Sequence, residues 1–218
     1  MFIGSDTSGC HALLRRCIAL GAILLFMLSA CSQKERSQDL DEGTLEDGLY
    51  TSAELGWSIR IPPGWEVMSK DVLAQKTRDG LEYVADAIGT EVDYSGIKFH
   101  VSFQKDDSNS FQSTSELFDI DSVPWEENNK MVREALFDTY YHRGIPADTS
   151  STTAVIDGLN FDLFRVKIFN RRGNVILNQD IYSRLIRGYA FSVIVNYNNE
   201  SDRQVMEKAF RESAFSNR

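Results

Sequence analysis

Cys31 is the residue whose type and position point most directly to chemistry, because its thiol can form a covalent bond. Arg15 and Arg16 lie upstream of it, and residues 17–30 between them and Cys31 carry no charge. A positive end, a short apolar stretch and small residues before a cleavage point are typical of a secretory signal peptide. The uncharged run is shorter than the roughly 20 residues of a membrane-spanning helix. The sequence therefore predicts cleavage after Ala30 rather than a retained span.

The segment Leu28-Ser29-Ala30-Cys31 resembles the lipobox of bacterial lipoproteins. The resemblance implies that Cys31 receives a diacylglycerol thioether, becomes the first mature residue and is acylated, for example with palmitate, at its new amino end. Two lipid modifications matter because a single acyl chain binds a bilayer only weakly. The implied location is the bacterial cell envelope, with the membrane as a partner through the anchor. Ser32 is not the aspartate of an inner-membrane retention signal, so the outer membrane is favoured.

The remaining chain is acidic and free of other cysteines. The full sequence has a net charge of −9, and removal of residues 1–30 leaves a net charge of about −10. This charge argues against nucleic acid as a partner. Cys10 and Cys17 leave with the signal peptide, so an exported domain without disulfides must be stabilised by its core.

Composition divides the chain into three parts. Residues 1–30 form the predicted signal peptide, and residues 31–48 form the lipidated cysteine and a polar, charged tether that cannot support a core. Residues 49–218 are long enough for a single domain. No repeat and no second domain is indicated.

Apolar periodicity predicts both strands and helices in this domain. In the strand over residues 97–103, His100 is expected on the exposed polar face, beside Lys98 and Ser102. The longest helix is expected over Glu126–Arg143, with Tyr140 on its core-facing side. The other elements predicted in this part are strands over 57–61 and 111–118, a helix that Ser69 caps, and a short helix over 81–88.

The last third reads as a series of antiparallel strands and a closing helix. Asp157-Gly158 is a strong signal for a two-residue hairpin. In the strand that follows, the apolar phase slips between Leu163 and Phe164, which indicates either a bulge or burial of both faces. The strand over 189–197 is apolar on both faces and is expected to be central. Ser201 and Gln204 are expected to form the capping box of the closing helix.

This order of elements predicts an α+β domain whose antiparallel β-sheet is flanked by helices. Four segments stand out in this layout, namely Trp57–Trp65, Asp157–Phe161, Gly188–Val193 and Ser213–Phe215. With them the layout resembles the PsbP/Mog-type superfamily, which includes the bacterial DcrB-type lipoproteins. The resemblance implies α-β-α layers and a role as an accessory or binding module, and it transfers no site residue.

The common sequence motifs of serine hydrolases, nucleotide-binding proteins and histidine-based metal sites are absent from the sequence. The sequence lacks Gly-x-Ser-x-Gly and the glycine-rich phosphate loops. After Cys31 it contains only two histidines, His100 and His142, too few for a histidine-based metal site. We therefore expect no catalytic residue, no cofactor and no metal.

Two clusters of polar and aromatic residues are candidates for recognition. Tyr141, His142 and Arg143 combine aromatic and cationic groups at a helix end and form the candidate interaction surface. The polar run 178–180, with Tyr182 and Arg184, is expected in a solvated or edge strand rather than a binding groove.

The sequence thus predicts a lipid-anchored envelope protein with a non-catalytic binding or accessory domain, whose partner is an envelope protein. The alternative is an envelope hydrolase, which would need a deep pocket with converging polar residues and perturbed carboxylates. A carrier of a soluble ligand is a third possibility and would need a pocket of several hundred cubic ångströms. The oligomeric state is not determined by the sequence.

Overall fold

In a computed structural model, the chain is described at residues 43–69, 71–76, 78 and 95–216. Cys31, the signal peptide and the short helix expected over 81–88 lie outside the described residues. No helix within the described ranges is long and apolar enough to cross a membrane. The strands are β1 Thr44–Glu46, β2 Leu49–Ser52, β3 Trp57–Arg60, β4 Glu66–Val67, β5 Lys98–Asp106, β6 Asn109–Leu117, β7 Ala147–Ile156, β8 Leu159–Phe169, β9 Val175–Ile186, β10 Tyr189–Tyr197 and β11 Ala214–Phe215, and the longer helices are α1 Trp125–His142 and α2 Glu200–Arg211.

A seven-stranded antiparallel sheet forms the body of the domain, in the order β4-β5-β6-β10-β9-β8-β7. Tight turns connect β7 to β10 in sequence, as expected from Asp157-Gly158 and Arg187-Gly188. All four turn residues have positive φ, between 47° and 83°. This backbone matches the type I′ turns that join antiparallel strands. The prediction that the strand over 189–197 is central is confirmed, since β10 lies between β6 and β9.

A second, four-stranded sheet was not expected from the sequence. Its order is β1-β2-β3-β11, so it joins the start of the described chain to its end. β1 begins at Thr44, inside the region 31–48 that was expected to be a disordered tether, so that boundary is wrong by several residues. Asp47-Gly48 forms the β1–β2 turn, with φ values of 49° and 72°. It is the same hairpin dipeptide as Asp157-Gly158, but it lies in a charged sequence.

Both faces of the large sheet are covered. On one face, Val132 and Leu136 of α1 pack on side chains of β8, β9 and β10. On the other face, Met206 and Phe210 of α2 pack beside the small sheet, and Trp57 lies 5.0 Å from Phe191 between ring centres. The expected α+β class with an antiparallel sheet is thus observed, but sheets dominate it. One outer layer is a helix, and the other is a helix together with a sheet.

β8 and β5 both bury side chains on their two faces, β8 with a register that is unbroken at its midpoint and β5 across a register shift. β8 keeps an unbroken register across Leu163 and Phe164, which contact opposite cores, so double coverage rather than a bulge explains its apolar phase. In β5, the register with β6 shifts between Phe99 and Ser102. The shift turns His100 inward, and its exposed fraction is 4%. The expectation that His100 lies on the surface is therefore wrong.

The helix ends largely follow the sequence, with one correction. α1 lies one residue earlier than the expected Glu126–Arg143. Ser69 accepts a hydrogen bond from the N–H of Val72 at 3.4 Å and caps the helical residues 71–76, as predicted. In α2, however, the cap is Asn199, which accepts a hydrogen bond from the N–H of Asp202 at 2.9 Å. The predicted Ser201–Gln204 capping box is wrong because the helix begins earlier than expected.

Substitution of Phe191 tests the aromatic core between the large sheet and the small one. Its ring is fully buried and lies 5.0–6.4 Å from Trp57, Phe161 and Phe215. We expect Phe191→Ala to lower the free energy of unfolding by about 3–5 kcal/mol, since it opens a cavity. The control Phe137→Ala, at a half-exposed ring on α1, should cost about 1 kcal/mol. Urea unfolding measures both, and equal costs would contradict this description of the core.

Candidate functional site

The structure places Tyr141, His142 and Arg143 at the exposed carboxyl end of α1. The Tyr141 side chain is 71% exposed, and its ring centre lies 5.7 Å from that of His142. Of these residues, Tyr141 lines a groove, whereas His142 and Arg143 lie outside its lining. Exposure is therefore as expected for all three, and the geometry singles out Tyr141.

A glycine ends α1 and directs the chain into β7. The N–H of Gly144 donates to the carbonyl of Tyr141, and the N–H of Ile145 donates to that of Tyr140, both at 3.0 Å. Gly144 has a φ of 62°, which glycine adopts without steric cost. The carbonyl of Pro146 then accepts a hydrogen bond from Phe169 at 2.9 Å. These bonds fix the angle between the end of α1 and the start of β7.

A groove of about 410 Å³ lies between the last turns of α1 and the first residues of β7, where the two elements diverge. Its lining is mainly apolar. Tyr140 forms part of it, and burial raises the pKa of this phenol to about 12, so the side chain is neutral at physiological pH. The lining residues are Phe137, Tyr140, Tyr141, Gly144, Ile145, Pro146, Ala147, Asp148 and Phe169.

A second groove, of about 440 Å³, continues from the first along the same helix and strand. The two share Phe137, whose ring is 41% exposed. The second groove is lined by Arg133, Glu134, Phe137, Asp138, Thr149, Ser151 and Phe164. We call the two together the α1–β7 groove.

Acidic side chains predominate along the α1–β7 groove. Glu134 is paired with Lys130 at 3.7 Å. Asp138 and Asp148 are exposed, and no cation of the described residues lies within ion-pair distance of either carboxylate. Among the described residues that line the groove, Arg133 is the one cation. The groove therefore offers an apolar floor and an acidic rim.

Of the residues that line the α1–β7 groove, Tyr141 was predicted from the sequence as part of an interaction surface, and most of the others were not. Phe137 carried a signal, because it lies off the apolar stripe that includes Val132, Leu136 and Tyr140. A large apolar residue outside the core-facing stripe is a candidate for contact with a partner. Ile145, in the loop after α1, and Phe169, at the end of β8, gave no such signal, because only the tertiary structure brings them together at the groove.

The polar run around Asp180 is buried rather than solvated. β9 is an interior strand, so the expectation of an edge or solvated strand is wrong. The Asp180 side chain is almost completely buried, with its carboxylate 3.5 Å from the Arg165 guanidinium. Tyr197 donates a hydrogen bond to it at 3.4 Å. Burial raises the pKa of Asp180, and the Arg165 charge offsets part of that rise.

α2 covers this polar cluster and adds hydrogen bonds to it, although Asp180 Oδ2 and Arg165 Nε, 3.5 Å apart, accept and donate none. Tyr182 donates a hydrogen bond to Glu207 at 3.2 Å, and Arg203 donates to the same carboxylate at 2.6 Å. The Arg203 guanidinium also lies 5.8 Å from the ring centre of Tyr197. These bonds join α2 to the sheet, and Asp180 beneath them is 1% exposed.

His100 forms the arrangement most similar to a hydrolase centre. Its Nε2 lies 2.8 Å from the hydroxyl of Ser115, and its Nδ1 lies 3.0 Å from the hydroxyl of Tyr50. A serine beside a histidine is the geometry of an activated nucleophile. However, none of the three side chains is more than 4% exposed, so no substrate reaches them. Their bonds satisfy polar groups inside an aromatic core.

Within the described ranges, no group of three or more histidine, cysteine, aspartate or glutamate side chains could hold a metal ion. The sequence-based expectation of a protein without metal or cofactor stays a prediction.

Comparison with known proteins identifies the fold. No family model and no curated protein matches the sequence. The chain is similar to the solution structure of cyanobacterial PsbP (CyanoP) from Synechocystis, with a TM-score of 0.51 over 86% of this chain and 98% of that one. This domain has a PsbP-like fold. Sequence identity is 10%, so the likeness concerns the fold of the PsbP-like domain alone.

Asp180→Asn tests the electrostatics beneath α2. Because the folded-state pKa of Asp180 is raised, its ionised form costs stability at neutral pH, and the cost falls as pH drops toward the ordinary aspartate pKa. We expect the variant to unfold at higher urea concentration than the wild type at pH 7, with a difference that shrinks toward pH 4. A lower midpoint for the variant at pH 7 would mean that the ion pair with Arg165 outweighs the cost of burial.

Proposed function

We propose that this protein is a lipid-anchored component of the bacterial cell envelope whose PsbP-like domain binds another envelope protein without catalysing a reaction. The observation that carries the binding half is the α1–β7 groove, with its apolar floor, acidic rim and exposed Tyr141. Solvent-exposed aromatic side chains next to apolar concavities are frequent in protein interfaces.

The anchoring half rests on the Leu28-Ser29-Ala30-Cys31 segment and the uncharged run before it. β1 begins at Thr44, so residues 31–43 remain to connect the lipid to the domain. The net negative charge disfavours flat adsorption on an anionic leaflet. A covalent anchor would therefore be what keeps the domain at a membrane, and the outer membrane is the favoured location.

The hydrolase alternative gains no support from the described residues. Ser115 and His100 have suitable distances but are enclosed by core side chains. Asp180 has a perturbed pKa, but α2 and the sheet surround it. The α1–β7 groove, which is open, is lined mainly by aromatic and aliphatic side chains. The geometry favours a binding module.

Cys31→Ala tests the anchor. We expect the wild-type protein in the membrane fraction, with mass spectrometry showing an acylated first residue at position 31. The variant should lose the lipid and be absent from the outer-membrane fraction. Ser32→Ala is the matched control and should stay anchored. A mature chain that begins upstream of Cys31, or a free thiol at Cys31, would overturn this half of the proposal.

A photo-crosslinking amino acid at position 141 tests the binding half in cells. We expect one discrete protein adduct from this position, reduced several-fold by the additional substitution Phe137→Ala. The same probe at Lys208, an exposed residue of α2 on the other face of the sheet, should give no such adduct. Identical adducts from both positions, or none from position 141, would count against the groove as the binding site.

A further inference from the structure

We propose that the α1–β7 groove binds an extended segment of a partner protein, which pairs with the outer edge of β7 and carries basic and apolar side chains. This inference rests on the proposed binding function and specifies the chemistry of the partner.

β7 is a long, regular edge strand. It ends the order of the large sheet, and no described strand pairs with its outer side. Its ten residues pair with β8 without a register shift, from Ala147 opposite Ile168 to Ile156 opposite Leu159. Proteins usually protect such edges with proline, lysine, bulges or short strands. β7 has none of these features, and its only charge is Asp148 near its start.

The hairpin after β7 determines which backbone groups point outward. Asp157 and Gly158 form a two-residue turn, so Ile156 and Leu159 flank it and exchange hydrogen bonds with each other. In antiparallel strands, residues that bond the partner alternate with residues whose N–H and C=O point away from it. Because the register is unbroken, the outward residues are Ala147, Thr149, Ser151, Thr153 and Val155.

The outward residues border the α1–β7 groove. Thr149 and Ser151 line it together with Phe137 of α1 and Phe164 of β8. An added strand would lie about 4.8 Å beyond β7. Every second side chain of that strand would then face the groove and contact Phe137 or Tyr141. Backbone pairing and side-chain pockets would thus act together, as in other cases of strand addition.

The acidic side chains at the groove favour basic residues at the partner positions that alternate with the groove-facing ones. Asp138 and Asp148 lie at the groove, and no cation of the described residues is within ion-pair distance of either carboxylate. Of the described lining residues, one, Arg133, is a cation. A strand with lysine or arginine near these carboxylates is complementary, whereas a glutamate-rich strand is repelled. A second copy of this acidic chain would bring another set of the same carboxylates to the edge, so charge disfavours self-pairing.

The test uses the full-length lipidated protein in detergent and synthetic peptides of about nine residues with valine at alternate positions. One peptide has lysine at intervening positions, a second has glutamate there, and a third is the lysine peptide with alternate backbone nitrogens methylated. We expect the lysine peptide to bind with a Kd below about 100 μM, and the other two to bind at least about tenfold more weakly. N-methylation keeps the side chains and removes backbone donors, so equal binding of the methylated peptide would overturn strand addition.

Ser151→Pro removes one outward N–H of β7 without removing a bond to β8. We expect it to weaken binding of the lysine peptide at least about tenfold while thermal unfolding changes little, and Ser151→Ala, which keeps the N–H, to bind like the wild type. Amide exchange should slow at Thr149, Ser151, Thr153 and Val155 when the peptide binds, and stay unchanged at Ser150 and Thr152.

No binding of the lysine peptide, or equal binding by Ser151→Pro and wild type, would contradict strand addition. If crosslinking from position 141 still identifies a partner in that case, the proposed binding function stands and only the mode of pairing is wrong. The methylated peptide decides the question on the wild-type protein even if Ser151→Pro fails to fold. A concentration-dependent dimer that Ser151→Pro dissociates would instead make a second copy of this chain the occupant of the β7 edge and overturn the basic partner.

Discussion

Strand β10 buries side chains on both of its faces, and this double burial places the other layers of the domain. Phe191, Val193 and Val195 face the core shared with α2 and the small sheet, whereas Ala190 and Ile194 face α1. A strand that is apolar on both sides is stable only if each side is covered. Hence neither outer layer is dispensable, and the small sheet, which joins residues from both ends of the described chain, supplies part of one cover.

The α1–β7 groove follows from the different widths of the layers. Seven strands at about 4.8 Å extend across roughly 30 Å, whereas a helix with its side chains is about 10–12 Å wide. α1 packs over β8, β9 and β10, through Phe164, Ile181 and Ile194. It therefore leaves the outer strand β7 mostly exposed. The binding surface that we propose is thus a consequence of how one helix covers a broad sheet.

Polar side chains that looked suited to the surface are used inside the domain. His100 joins β5 to Tyr50 of β2 and Ser115 of β6, and Asp180 joins β9 to Arg165 and Tyr197. Buried polar groups cost free energy unless they are paired, so these bonds restrict which strands and helices can lie against each other. The same burial that makes these clusters structural separates them from any substrate.

The sequence by itself determined the local features, namely the antiparallel hairpin at Asp157-Gly158, the double-faced β10 and the long helix α1. These depend on periodicity and turn chemistry, which neighbouring residues fix. Only the tertiary structure decided that β1 belongs to the domain, that a bulge turns His100 inward, and that Phe137, Tyr141 and Phe169 share a groove. Those outcomes depend on pairing and coverage between segments far apart in the chain, and local sequence patterns do not encode which segments meet.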